Sequence, residues 1–110
     1  MTRMGITRGV AGTTFAAALL LSAASHAEGL KIGALMPMTG GLQAYGESSF
    51  NGVKLAIEEI NNAGGVNGEA VTYIVGDTQT SPQPGVDAAQ KLVSIDKVNA
   101  IVGALSSGVT

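Results

Sequence analysis

The chain has 110 residues, six basic and eight acidic, giving a formal net charge of −2, and it contains one histidine and no cysteine or tryptophan. Arg3, Arg8 and His26 all lie within the first 27 residues, so the remainder carries four lysines (31, 54, 91 and 97) against eight carboxylates. That balance argues against nucleic acid, whose binding rests on neutralising phosphates. The missing cysteine excludes thiol chemistry and thiolate metal sites, while leaving the compartment open.

Residues 1–27 have the three parts of an export signal: a basic start at Arg3 and Arg8, an apolar run from Val10 to Leu21, and small residues flanking His26 at Ser25-His26-Ala27. Cleavage is expected after Ala27, which makes the mature chain periplasmic. The apolar run is shorter than the roughly 20 residues a bilayer span requires, so no stable membrane insertion of the mature chain is expected.

Leu30 to Met36 is an apolar run broken only by Lys31 and Gly33, the pattern of a strand covered on both faces in a parallel sheet, and Pro37 ends it. Phe50, Val53, Ala56, Ile57 and Ile60 then recur at helical spacing, with Lys54, Glu58, Glu59 and Asn61 facing outward. This predicts a helix from about Glu47 to Ala63. Gly64-Gly65 supplies its left-handed C-cap and Asn67-Gly68 a tight turn. Ala70 to Val75 reads as the second strand, closed by Gly76-Asp77. Ser81-Pro82 starts a second helix, serine capping and proline in the first turn, with Val86, Ala89, Leu92 and Val93 marking it to about Ile95. Asn99 to Leu105 is the third strand.

The order β-α-β-α-β implies parallel strands joined by right-handed crossovers, an α/β fold in which a ligand crevice lies beyond the carboxyl ends of the strands, where strand order reverses. Three loops qualify: Pro37 to Gly46, Asp77 to Gln83, and Ser106 onward. The sequence stops at Gly108-Val109-Thr110 directly after an apolar strand. Residues 28–110 are therefore expected to be an incomplete lobe, Rossmann-like but partial, that does not unfold in urea as one cooperative unit.

No catalytic residue, metal ligand set or cofactor is assigned. Asp77 stands where a dinucleotide fold keeps its ribose-binding acid, but the first loop lacks GxGxxG and has Pro37 where the glycines should begin. Glu58 and Glu59 are expected to be solvated. Met36 and Met38 read as packing rather than a soft-metal site. Thr39-Gly40-Gly41 reads first as a structural turn. Without histidine or cysteine, residues 28–110 cannot assemble a Ser-His-Asp or Cys-His unit by themselves.

Four segments in order, IGALMPMTGGLQAYG, NGVKLAIEEINNAGGVNG, GDTQTSP and IVGALSS, resemble the start of periplasmic type I solute-binding proteins, nearest the leucine/isoleucine/valine group of ABC importers. The resemblance implies two Rossmann-like lobes closing on a ligand, of which this chain holds the first part of one. It also implies a small-molecule ligand, an amino acid (branched-chain) or related amide, and an ABC membrane permease as partner.

By the same resemblance, Ser107, with Leu105 and Ser106 beside it, meets the ligand carboxylate through a hydroxyl and backbone NH groups, and Tyr45 packs over the ligand side chain. A helix starting after Ser107 would favour an anion through its unpaired NH groups and dipole. On residues alone, Ser106 and Ser107 read first as a helix cap, and Tyr45 reads equally as a ring packed on its own loop. Some relatives join the second and third loops by a disulfide at positions matching Thr80 and Ser106, so that staple is absent here. A sensor domain of a receptor or regulator with the same fold is the alternative function, distinguished by a membrane or signalling segment further along the chain.

Overall fold

The computed structural model describes residues 29–110, so the expected export signal and its cleavage site lie outside the described residues. The elements run β1 (Lys31–Met36), α1 (Gln43–Asn62), β2 (Thr72–Asp77), α2 (Pro82–Ser94) and β3 (Ala100–Gly103). They form one three-stranded parallel sheet in the order β2-β1-β3. The first crossover leaves β1 in one direction and the second returns past it to the other side. Strand order therefore reverses between β1 and β3.

Alternation along β1 sorts the two faces. Gly33 and Leu35 look toward α2, where Leu35, Leu92 and Ala104 form a buried cluster flanked by Ile74, Ala88, Ala89, Val98 and Val109. Leu92 is 1% exposed and occupies space that two glycines leave, since a Cβ on Gly33 or Gly76 would come within 3.1 or 3.0 Å of its Cδ1. Ile32, Ala34 and Met36 face the opposite side, which α1 covers with Ile57. Phe50 of α1 meets Tyr73 of β2 edge-on at 5.5 Å between ring centroids, an arrangement aromatic quadrupoles favour.

The element order matches the sequence reading, but three boundaries move. Helix α1 begins at Gln43, a turn earlier than Glu47, because its first turn is held by tertiary contacts in place of a capping side chain: Leu42 stands at the N-cap without one. Strand β2 is shifted two residues onward from Ala70–Val75. Its first expected residues are instead held by Asn61, whose side-chain amide accepts from Val71 N at 2.7 Å and donates to Val71 O at 2.9 Å. Asn61, expected to face outward, is thus half-buried and structural.

Strand β3 is shorter than expected. At its start the Asn99 side chain accepts from Lys31 N at 2.8 Å, and past its end Leu105 turns left-handed (φ 71°), which extended pairing does not accommodate. The C-cap glycines behave as read, with Gly64 and Gly65 at φ 106° and 76°. Ser81 takes the extended N-cap backbone before Pro82, yet its side chain makes no cap hydrogen bond. Val86 and Val93, expected on the inner stripe of α2, are about half exposed, and Ala88 packs on the cluster instead.

Truncating the cluster at its centre should be costly. Leu92→Ala in the full-length protein is expected to lower unfolding free energy by about 2–5 kcal/mol, as buried leucine-to-alanine changes do. Chemical denaturation monitored by circular dichroism checks this, and a loss below 1 kcal/mol would place the core elsewhere.

Candidate ligand crevice at the strand ends

Beyond the carboxyl ends of the strands lie the loop before α1, the loop before α2 and the segment after β3. The first two are stitched together. Asp77, the last residue of β2, accepts through Oδ1 from the backbone NH groups of Met38 (2.9 Å), Thr39 (3.3 Å) and Gln79 (2.8 Å), and through Oδ2 from the Thr39 hydroxyl (2.7 Å). The Thr80 hydroxyl adds a second link, accepting from Leu42 N at 3.2 Å and donating to Thr39 O at 3.0 Å. Thr78, wholly buried, accepts from Thr80 N through its own hydroxyl.

Close backbone approach tightens the same junction. Gly40 has φ 86°, and a Cβ there would stand 2.6 Å from Gln79 O. At Gly46 a Cβ would overlap the Pro37 carbonyl, so the first turn of α1 sits directly against the end of β1. The turn read as structural in Thr39-Gly40-Gly41 is so at Thr39 and Gly40. Gly41 has open space around it.

Burial alone raises the Asp77 pKa, but the hydrogen bonds from Gln79 NH, the Thr39 hydroxyl and the Met38 and Thr39 NH groups outweigh it and hold the carboxyl below its ordinary value. Asp77 is therefore a loop anchor. A ribose-binding acid needs a free carboxylate, whereas here Oδ1 already serves three amides and Oδ2 the Thr39 hydroxyl.

The segment after β3 lies on the other side of β1. Ala104 is buried, Leu105 is 48% exposed, Ser106 is half-buried and Ser107 is exposed. The Ser106 carbonyl accepts from Val109 N and Thr110 N, both at 3.0 Å, and from the Thr110 hydroxyl at 2.9 Å. This is the bonding of an opening helical turn, with Ser106 at its cap position and the Ser107 and Gly108 amides ahead of the first bonded one. Across the reversal point, Tyr45 stands on the first turn of α1, 66% exposed, with its backbone NH on Leu42 O at 3.0 Å.

The four site residues anticipated from the sequence thus flank the β1/β3 reversal, two elements supplying them. Asp77 and Thr80 lie in the second of the three loops expected at this edge, but their part in tying it to the first was not anticipated. The cue for them was arithmetic: the loop amides of residues 38, 39 and 42 need acceptors, and no side chain in their own loop supplies them.

A hollow of about 550 Å³ elsewhere, lined by Lys54, Ile57, Glu58, Asn61 and Tyr73 among others, lies on the flank of α1 and β2. It lies away from the reversal point and its Asn61 is already committed to Val71, so the crevice is the better site. Among the described residues no group of histidine, cysteine, aspartate and glutamate is placed to hold a metal, and no helix is long and apolar enough to cross a membrane.

The structure is a parallel α/β half-sheet whose strand order reverses between β1 and β3. The chain belongs to the periplasmic binding protein family, whose sequence profile matches residues 29–110. It is 40% identical over 96 residues to the Leu/Ile/Val-binding protein BraC3 of Rhizobium johnstonii, a match covering 87% of this chain and 26% of that protein. Among solved structures it is similar to the branched-chain amino acid transporter substrate-binding protein LivJ of Streptococcus pneumoniae, solved with isoleucine. That match has 34% identity and a TM-score of 0.72, over 74% of this chain and 24% of the other. It is also similar to a solute-binding protein of an ABC transporter from Rhodopseudomonas palustris in complex with 3,4-dihydroxybenzoic acid. There the identity is 35% and the TM-score 0.58, over 66% of this chain and 19% of the other. The chain spans about a quarter of the length of the curated relatives it matches.

The depressed pKa gives Asp77 a signed pH dependence. Its contribution is complete above the unfolded value, near 3.8, and is lost as pH falls through the lower folded value. In the full-length protein, Asp77→Asn is therefore expected to be less stable than wild type at pH 7, with the gap narrowing once the pH drops below about 4. Paired urea titrations at the two pH values measure the gap, and a gap independent of pH would remove the carboxylate charge from the account.

Proposed function

We propose that the full-length protein is the extracytoplasmic solute-binding component of an ABC importer, capturing a branched-chain amino acid or a related small amino acid or amide. The observation that carries this reading is the reversal point itself, with an uncharged serine turn on one side and an exposed tyrosine on the other. The names of BraC3 and LivJ support an aliphatic amino acid as ligand. The aromatic acid bound by the Rhodopseudomonas palustris protein shares with an amino acid the carboxylate that a serine turn suits.

In this reading Ser107 gives its hydroxyl, and the amides near Leu105 and Ser106 their NH groups, to the ligand carboxylate. An anion is favoured there because first-turn amides point outward and carry the positive end of the helical dipole. Tyr45 packs over the ligand side chain, offering large apolar area with few rotatable bonds. The reading is of a binder, not a catalyst, and affinity arises when a second lobe closes over this wall. The membrane permease is the partner that receives the ligand. Export through residues 1–27, with cleavage after Ala27, places the mature protein in the periplasm.

Calorimetric titration of the full-length protein with leucine, isoleucine and valine tests the proposal. A dissociation constant in the micromolar range or below is expected for at least one of them. Ser107→Ala should weaken it by about 1–3 kcal/mol, the worth of a hydrogen bond to a charged group. No heat with any of the three would refute the ligand class, and unchanged affinity in the variant would take Ser107 out of the site.

A further inference from the structure

Thr80 has an unusual backbone for its residue type. It follows Gln79 in the left-handed region, at φ 58° after φ 53°, where a β-branched side chain is disfavoured and glycine or asparagine would rest without strain. Strain of this kind persists where the surroundings hold it in place. Here the hydroxyl does the holding. It accepts from Leu42 N and donates to Thr39 O, bridging from the loop before α2 to the last residue before α1.

Leu42 is the relay. Its NH is fixed by Thr80, and its carbonyl accepts from Tyr45 N and Gly46 N, both at 3.0 Å, so the same peptide segment starts the helix that carries Tyr45. No side chain caps this helix, which leaves Thr80 as the group that satisfies the Leu42 amide. Asp77 fixes Met38 and Thr39 upstream. The loop is therefore pinned at residues 38, 39 and 42, immediately before the tyrosine.

We infer that Thr80 is a positioning residue for ligand capture, its hydroxyl holding the start of α1 so that Tyr45 is already in place when the ligand arrives. The inference rests on the reading of Tyr45 as a ligand-facing residue. Its physical content is preorganisation: a loop ordered in the free protein does not have to be ordered on binding. Tolerance of left-handed backbone strain at a position where glycine would relax it is explained by what the hydroxyl holds.

The test uses the full-length protein, isoleucine as probe, and the variants Thr80→Gly, Thr80→Val, Thr80→Ser and Tyr45→Ala. Thr80→Gly removes the hydroxyl but also the backbone strain, so its thermal midpoint should stay within a few degrees of wild type while isoleucine affinity falls roughly three- to tenfold. Thr80→Val should lose affinity similarly, and Thr80→Ser, which keeps the hydroxyl, should restore it. Hydrogen exchange of the free protein should quicken at the amides of residues 42–46 in the glycine and valine variants only. Combined with Tyr45→Ala, the Thr80→Gly loss should largely vanish, since the two act through one contact.

Wild-type affinity in both Thr80→Gly and Thr80→Val, with Tyr45→Ala weakened, would overturn the positioning role and leave the ligand-facing reading of Tyr45 standing. Unchanged affinity in Tyr45→Ala would overturn that reading and the inference with it. Affinity loss that serine fails to restore, or that tracks the thermal midpoint across the variants, would reduce Thr80 to a structural residue.

Discussion

Everything in this fold is referred to β1. It is the strand with partners on both edges, Thr72 to Asp77 on one side and Ala100 to Gly103 on the other, and the strand with a helix over each face. A strand so enclosed must satisfy its backbone within the sheet and keep its side chains small or apolar, and IGALM after Lys31 does both. Its small residues decide how closely the layers approach. Gly33 admits Leu92 on one face, and Ala34 lies fully buried on the other. The crevice inherits this geometry, because the chain leaves β1 at the point where the sheet turns from one side to the other.

The loops at the strand ends are tied together on the β2 side of β1. Asp77 and Thr80 draw the loop after β1 toward β2 through five hydrogen bonds, four on backbone groups of that loop and one on the Thr39 hydroxyl. The space toward β3 is left to the serine turn and to Tyr45. The carboxylate that accomplishes much of this is engaged by three backbone amides and the Thr39 hydroxyl.

The sequence revealed elements through periodicity and hid what depends on contacts between distant residues. The apolar run of β1, the spacing of Phe50, Val53 and Ile57, and the Ser81-Pro82 start each carry a local signal, and each element is present. The start of α1 carried none, because Leu42 has no capping group and Gly46 is a weak helix former; the helix begins there because Thr80 and Pro37 hold it. Gly76-Asp77 read as a turn by residue type, yet both pair with β1, at Leu35 and Met36. Asn61 looked like a surface residue on a helical wheel, since a wheel cannot show a neighbouring strand. The strand-end rule pointed to the loops in the sequence, whereas the hydrogen bonds that tie those loops together join residues some forty apart and leave no local pattern.

The pairing of Asn61 with Val71 separates two parts of the chain that would otherwise share their errors. Between them run the left-handed glycines and the Asn67-Gly68 turn, closed by the Val66–Glu69 bridge. Because the asparagine amide imitates one rung of backbone pairing at the last turn of α1, the register of β2 is set before the strand formally begins. Residues added to or removed from that turn are absorbed between two fixed points, at the end of the sheet opposite the crevice. Length variation there would leave Asp77 and the loops it anchors where they were, while the turn itself still calls for glycine at Gly65, where a Cβ would overlap the Glu69 carbonyl.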